Sequence, residues 1–147
     1  MALWPLVVDR LVQLLPGLPG WAGVSVFDGP PATGSTPAQF ATVGYVAGEA
    51  TSGNYTRQQA PDGFRYAETG NVVSQLVCET GDVAIPSMRL AVCGMADQID
   101  AAIRLDRTLG VLSPEGYCTV LVDVVPLSNQ QGTGVALTFT LTYYTVN

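Results

Sequence analysis

From Val135 to Tyr144 the chain reads VALTFTLTYY and alternates between two chemistries. Val135, Leu137, Phe139, Leu141 and Tyr143 fall on one side, and Ala136, Thr138, Thr140, Thr142 and Tyr144 on the other. A period of two predicts a strand with one face in a core and a Thr-covered face toward solvent, as a half-exposed antiparallel strand requires. Such a strand needs a layer to cover its apolar side, and two helical patterns supply it. Met88, Val92, Met95, Ile99, Ala102 and Ile103 recur three and four apart, so they form one stripe of a long helix. Arg89, Asp97, Asp100 and Arg104 lie mostly off that stripe, Asp100 and Arg104 as an acid-before-base pair at i,i+4. Near the start, Trp4, Val7, Val8, Leu11, Val12 and Leu15 predict an amphipathic helix over Ala2 to Leu15, stopped by Pro16-Gly17-Leu18-Pro19-Gly20.

Short strands are expected at Val24 to Phe27, ended by Asp28-Gly29 and two prolines, and at Phe40 to Val46. Asn71 to Glu79 is apolar and β-rich, and Cys118 to Pro126 pairs naturally with the terminal strand through a polar hairpin at Leu127 to Gly134. The stretch from Ala47 to Gly70 shows no sustained period and few aliphatics, and reads as a long loop or arm. The expected fold is α+β: an N-terminal helix and one long central helix on a mixed or antiparallel sheet of about five strands. At 147 residues this is a single domain, 1–147, with the arm at 47–70.

The composition narrows the function classes. Charged residues make up 12% of the chain, about half the usual share, so Thr, Ser, Gln, Asn, Gly and Pro must cover much of the surface. That suits faces covered by copies of the same chain, because interface centres are depleted in charge; a compositional bias of the source genome gives the same pattern. The net charge is -6, all six basic residues are Arg, and there is no Lys or His. No basic patch for a phosphate backbone can form on that balance. His-dependent triads and Lys-containing phosphate loops are excluded, and Cys78, Cys93 and Cys118 have neither the spacing nor the partners of a zinc site. Each Cys has apolar neighbours and is expected to be a buried reduced thiol. The opening MALWPLVVDRLVQLL has no basic region ahead of its apolar run, and Asp9 and Arg10 interrupt it, so a secretion signal is not expected.

Two places invite a closer look. Glu79-Thr80-Gly81-Asp82 puts two acids at a strand-to-helix junction, but the Gly suits a tight turn and Asp82 suits a helix N-terminus, with Pro86 in the first turn. A turn is the expected role, and no catalytic residue, cofactor or metal is assigned. In the arm, Arg57 and Arg65 are interleaved with Tyr55, Phe64 and Tyr66, the residue types in which contact hot spots are enriched; a loose surface excursion is the alternative.

The ordered set of a helix, VSVFDGPP, TVGYV, a long excursion, ETG, TGD, a long helix, LDRTLG and a Thr-alternating terminal strand resembles tail terminator proteins of long-tailed bacteriophages, especially those of actinobacteria. The likeness spans nearly the whole chain. It departs at Glu79-Thr80, where relatives often carry a Trp before the GD turn, and at Val111, where TLG is often followed by a second Gly. The resemblance implies a non-enzymatic virion subunit, made in the host cytoplasm. Six copies would form a ring on the head-proximal end of the tail tube, stop its polymerisation and dock head-completion proteins. Its partners would be itself, the tube protein and a head-completion or adaptor protein, with DNA passing through unbound and no membrane involved. Contacts are then expected from Asp28, Pro30 and Pro31 in one loop and from Tyr55, Arg57, Phe64, Arg65 and Tyr66 in the arm. Glu49, Asp62 and Glu68 are candidate lumen-facing acids that would repel the DNA backbone. Two other readings stand beside it. One is a head-tail adaptor or tube protein, and the other is a small ligand-binding or thioesterase-like α+β domain that would need Asp28 or Asp123 poised in an apolar pocket.

Overall fold

The computed structural model describes residues 2–31, 39–46, 53–79, 85–129 and 132–147. Helix α1, Trp4–Leu14, runs into a 3-10 turn at Leu15–Gly17. Strands β1, Ser25–Asp28, β2, Gln39–Val43, β3, Gly53–Gln59, and β4, Tyr66–Glu79, precede helix α2, Ile85–Leu105. Strands β5, Tyr117–Asn129, and β6, Gly132–Val146, complete the order. This is the expected α+β fold, with two helices on one mixed sheet. The expected arm contains a strand that sequence periodicity did not show: Gly53–Gln59 is β3, and β4 begins at Tyr66 rather than Asn71.

The strands lie in the order β1-β2-β4-β6-β5, with β3 also paired to β4. The 14-residue β4 is long enough to carry two neighbours on one side: β3 along Tyr66 to Val72, and β2 along Gln75 to Cys78. Every pairing is antiparallel except β1 with β2.

Alternation decides which face is inside. Val72, Ser74, Leu76 and Cys78 of β4 pair with Leu141, Phe139, Leu137 and Val135 of β6, and all eight are buried. The helices cover that face. In α2 the predicted stripe is buried at Met88, Val92, Met95, Ile99 and Ile103. Asp100 and Arg104 form their ion pair at 3.0 Å on the outer side. Helix α1 contributes Val7, Val8 and Leu11. Trp21 Nε1 donates to the Met95 carbonyl at 3.2 Å, and Arg10 Nε to that of Leu109 at 3.1 Å, so both helices and their connections share one layer. The expected LDRTLG segment ends α2. Asp106 Oδ1 accepts from the Thr108 N–H and hydroxyl, and buried Leu109 takes a left-handed φ of 53°. Cys78 and Cys118 are buried and reduced as expected, but Cys93 is exposed, because position 93 turns away from the apolar stripe of α2.

Candidate interaction surface

The β3–β4 hairpin extends past the end of the helical layer, and its inner face shows it. Tyr55, Arg57 and Gln59 of β3 register with Gly70, Glu68 and Tyr66 of β4, and thus share the face that α1 covers further along the sheet. Tyr55 and Tyr66 are 48% and 47% exposed, so no helix lies over them. The Arg57 guanidinium stacks 4.6 Å above the Tyr66 ring, which holds its charge against an aromatic face. Its Nε is shielded from solvent and has no hydrogen-bond partner among the described residues.

At the hairpin tip, Asp62 organises the turn. Its Oδ1 accepts from the Phe64 and Arg65 N–H groups at 3.0 and 3.1 Å, and its Oδ2 from Arg65 Nε at 2.7 Å. These bonds hold the Asp62 carboxyl at about 2, below its ordinary 3.8, with the Phe64 N–H the largest cause. Arg65 Nη1 also reaches Glu115 at 3.2 Å and ties the tip to the loop ahead of β5. With the turn fixed in this way, Phe64 stands 91% exposed.

Glu68 is not a lumen-facing acid. It is 1% exposed, because even-numbered β4 residues face the helices and position 68 lies beneath the start of α1. Helix α1 has no side-chain cap of its own, since Leu3 occupies the N-cap. The Leu3 N–H instead donates to both Glu68 oxygens, at 2.9 and 3.1 Å, and the Tyr143 hydroxyl donates to Oε2 at 2.7 Å. A carboxylate at a helix N-terminus meets free N–H groups and the positive end of the dipole, so Glu68 caps α1 from across the sheet. Gly70 makes room for this: a Cβ there would lie 2.6 Å from the Tyr143 ring. Burial, and then the bond to Glu68, push the Tyr143 phenol far above its usual range.

Asp28 and Pro30 are exposed and Pro31 is half-buried. Asp28 ends β1 and the prolines follow it, on the same side of β4 as β3 but beside its other half, so the two predicted contact segments lie on one side of the sheet without meeting at one point. Glu49 and the junction Thr80-Gly81-Asp82 lie outside the described residues. Asp28 and Asp123 are both exposed, so neither is poised in an apolar pocket. Among the described residues no three His, Cys, Asp or Glu side chains cluster as metal ligands would, and no helix is long and apolar enough to cross a membrane.

Among the described residues no helix covers the sheet's other face. Thr69, Thr119 and Thr142 are exposed there, Leu121 is 65% exposed, and the Tyr117 and Tyr144 rings sit 5.7 Å apart. Asp123 is the one charged residue on that face whose side chain is described. The face is open where it carries those residues, while Thr42, Val77 and Ala136 on the same face are buried. The sequence signal for it was the Thr alternation of β6; the buried cap at Glu68 had a subtler one, the even-numbered face of β4 traced back past Gly70. No protein-family model matches the chain, and no curated protein shows significant similarity to it.

Proposed function

We propose that this chain is a structural subunit of a phage virion, a tail terminator whose copies form a ring at the head-proximal end of the tail tube. The observation that carries the reading is the open part of the outer sheet face, where Thr69, Tyr117, Thr119, Leu121 and Thr142 meet solvent, together with a hairpin that exposes Phe64, Tyr55 and Tyr66. An isolated subunit gains nothing from leaving those groups in water, whereas a partner that covers them removes apolar area from solvent. The fold agrees with the one the ordered sequence pattern implies, two helices on a mixed sheet.

In a closed ring each copy presents one surface to the next, and a stable contact of this kind buries on the order of 800 Å² per partner. Such a subunit works by shape: it caps one end of the tube and offers its opposite end to the head-completion proteins. With Glu68 buried and Asp62 paired to Arg65, repulsion of DNA by hairpin acids becomes a smaller part of the proposal.

Light scattering and negative-stain imaging of the purified protein test the reading. Rings of about six copies are expected, and a compact monomer at every concentration overturns it. Phage assembled without the protein should carry overlong tails; normal-length tails detached from heads would assign it to an adaptor instead.

A further inference from the structure

The N-terminal half of α2 carries an open groove on its outer side. The groove is about 420 Å³ and is lined by Pro86, Arg89, Leu90 and Cys93, with Leu90 78% exposed. Arg89 is the only charged residue from Pro86 to Gly94, and it has no ionic or hydrogen-bond partner among the described residues. Gly94 follows Leu90 by one turn on the same side. A Cβ there would meet nothing within 4 Å, so no contact inside the subunit calls for a glycine in the middle of this helix, where glycine weakens helix formation. Its effect is external: with no side chain at 94, another element can approach the backbone closely.

The open part of the outer sheet face carries a matching feature. Leu121 is 65% exposed, and Asp123, two residues further along β5, lies on the same face. Asp123 is also exposed and has no partner among the described residues. Because α2 packs on the sheet's inner face, its groove and this patch point to opposite sides of the subunit. Each carries one charge beside an exposed leucine, and the two charges have opposite signs. A two-fold contact of α2 with α2 would gather two arginines without a counter-charge, and one of sheet with sheet two aspartates, both of which like-charge repulsion disfavours.

We infer that copies of the chain pack helix on sheet, the α2 groove of one subunit covering the Leu121 and Asp123 patch of the next, with Arg89 paired to Asp123 of the partner subunit. Removing the two leucines from water supplies affinity, and the ion pair fixes register and direction. Such a contact is head-to-tail, and it generates a closed ring if the rotation closes and a filament if it does not. The inference rests on the ring-forming reading proposed above.

Exchanging the two charges in the full chain tests it, with mass followed by light scattering. Arg89→Glu and Asp123→Arg should each raise the concentration needed for assembly about ten-fold, and the double variant should recover most of that loss. Single variants that assemble as the unmodified chain does, or a double variant no better than either, overturn the contact and leave the ring reading standing. Cys93 gives a second readout that needs no variant. Its thiol is exposed in the subunit while Cys78 and Cys118 are buried, so alkylation of Cys93 should slow several-fold on assembly. Rings in which Cys93 reacts as fast as in the free subunit overturn the contact. Protection of Cys93 in a species of twice the subunit mass, with no rescue by the charge exchange, overturns it in favour of a two-fold α2 dimer. A chain that stays monomeric at all concentrations removes both the contact and the ring reading.

Discussion

Two carboxylates of the same hairpin, six residues apart, have opposite fates. Asp62 stands at the tip in solvent and holds a turn, while Glu68 lies under a helix and holds two layers together. Both accept backbone N–H groups, so hydrogen-bond chemistry does not separate them. Their surroundings do: removing Asp62 exposes its partners to water, which replaces the lost bonds, whereas removing Glu68 strands the Leu3 N–H and the Tyr143 hydroxyl where water does not reach. Structural weight thus follows the cost of leaving partners unpaired.

The largest effect expected from breaking this contrast is at Glu68. Glu68→Ala should destabilise the fold by about 3 kcal/mol, since each of two buried donors loses its acceptor at a cost of about 1–3 kcal/mol. Urea denaturation at fixed protein concentration measures it, and a loss below that of an ordinary surface substitution would refute the cap. Gly70→Ala comes next, at about 2 kcal/mol, because the added methyl must displace the Tyr143 ring against well-packed neighbours. If Gly70→Ala proves neutral, the ring is not pinned above residue 70.

Tyr143→Phe should cost about 1 kcal/mol, the net worth of one buried hydrogen bond. The same tyrosine gives a pH signature. Its phenol is raised in the folded state, so folding is favoured fully below the ordinary tyrosine value near 10, and that contribution is lost as the pH climbs above it. Ultraviolet titration, with Tyr143→Phe as the reference, should therefore find Tyr143 un-ionised until the protein unfolds in alkali. Complete titration of a folded chain near pH 10 would show that Tyr143 is not buried against Glu68.

The contrast also explains what could be read from the sequence. The stripe Met88-Val92-Met95-Ile99-Ile103 and the alternation from Val135 to Tyr143 were legible because each element packs one face on a core, so burial writes its period into the residues. Strand β3 was not, since GNYTRQQ projects beyond the helices and buries neither face; its strand character comes from pairing with Tyr66 to Val72, which no local pattern records. Tyr55, Arg57, Phe64 and Tyr66 were identified by type and are exposed or half-exposed on the hairpin. Glu68 was misplaced because a Glu in a polar stretch reads as solvated, and its cover comes from Leu3, 65 residues away.

The smallest effect lies at the tip and concerns titration more than stability. Asp62 has a folded-state value of about 2 against its ordinary 3.8, so whatever it contributes is complete above about pH 4 and is lost as the pH falls through 2. Both it and Arg65 are exposed, and solvent screens their attraction, so Arg65→Ala should barely move the denaturation midpoint. What it should move is the Asp62 carboxyl, upward, as read by side-chain NMR titration. The shift should be partial, because the Phe64 N–H, the largest cause of the depression, remains in place. Full return to 3.8 would mean that the ion pair, and not the backbone turn, sets the tip; no movement would mean that the Arg65 side chain does not sit on Asp62. Either result decides whether Phe64 is presented by a turn that holds itself or by a salt bridge that ionic strength can loosen.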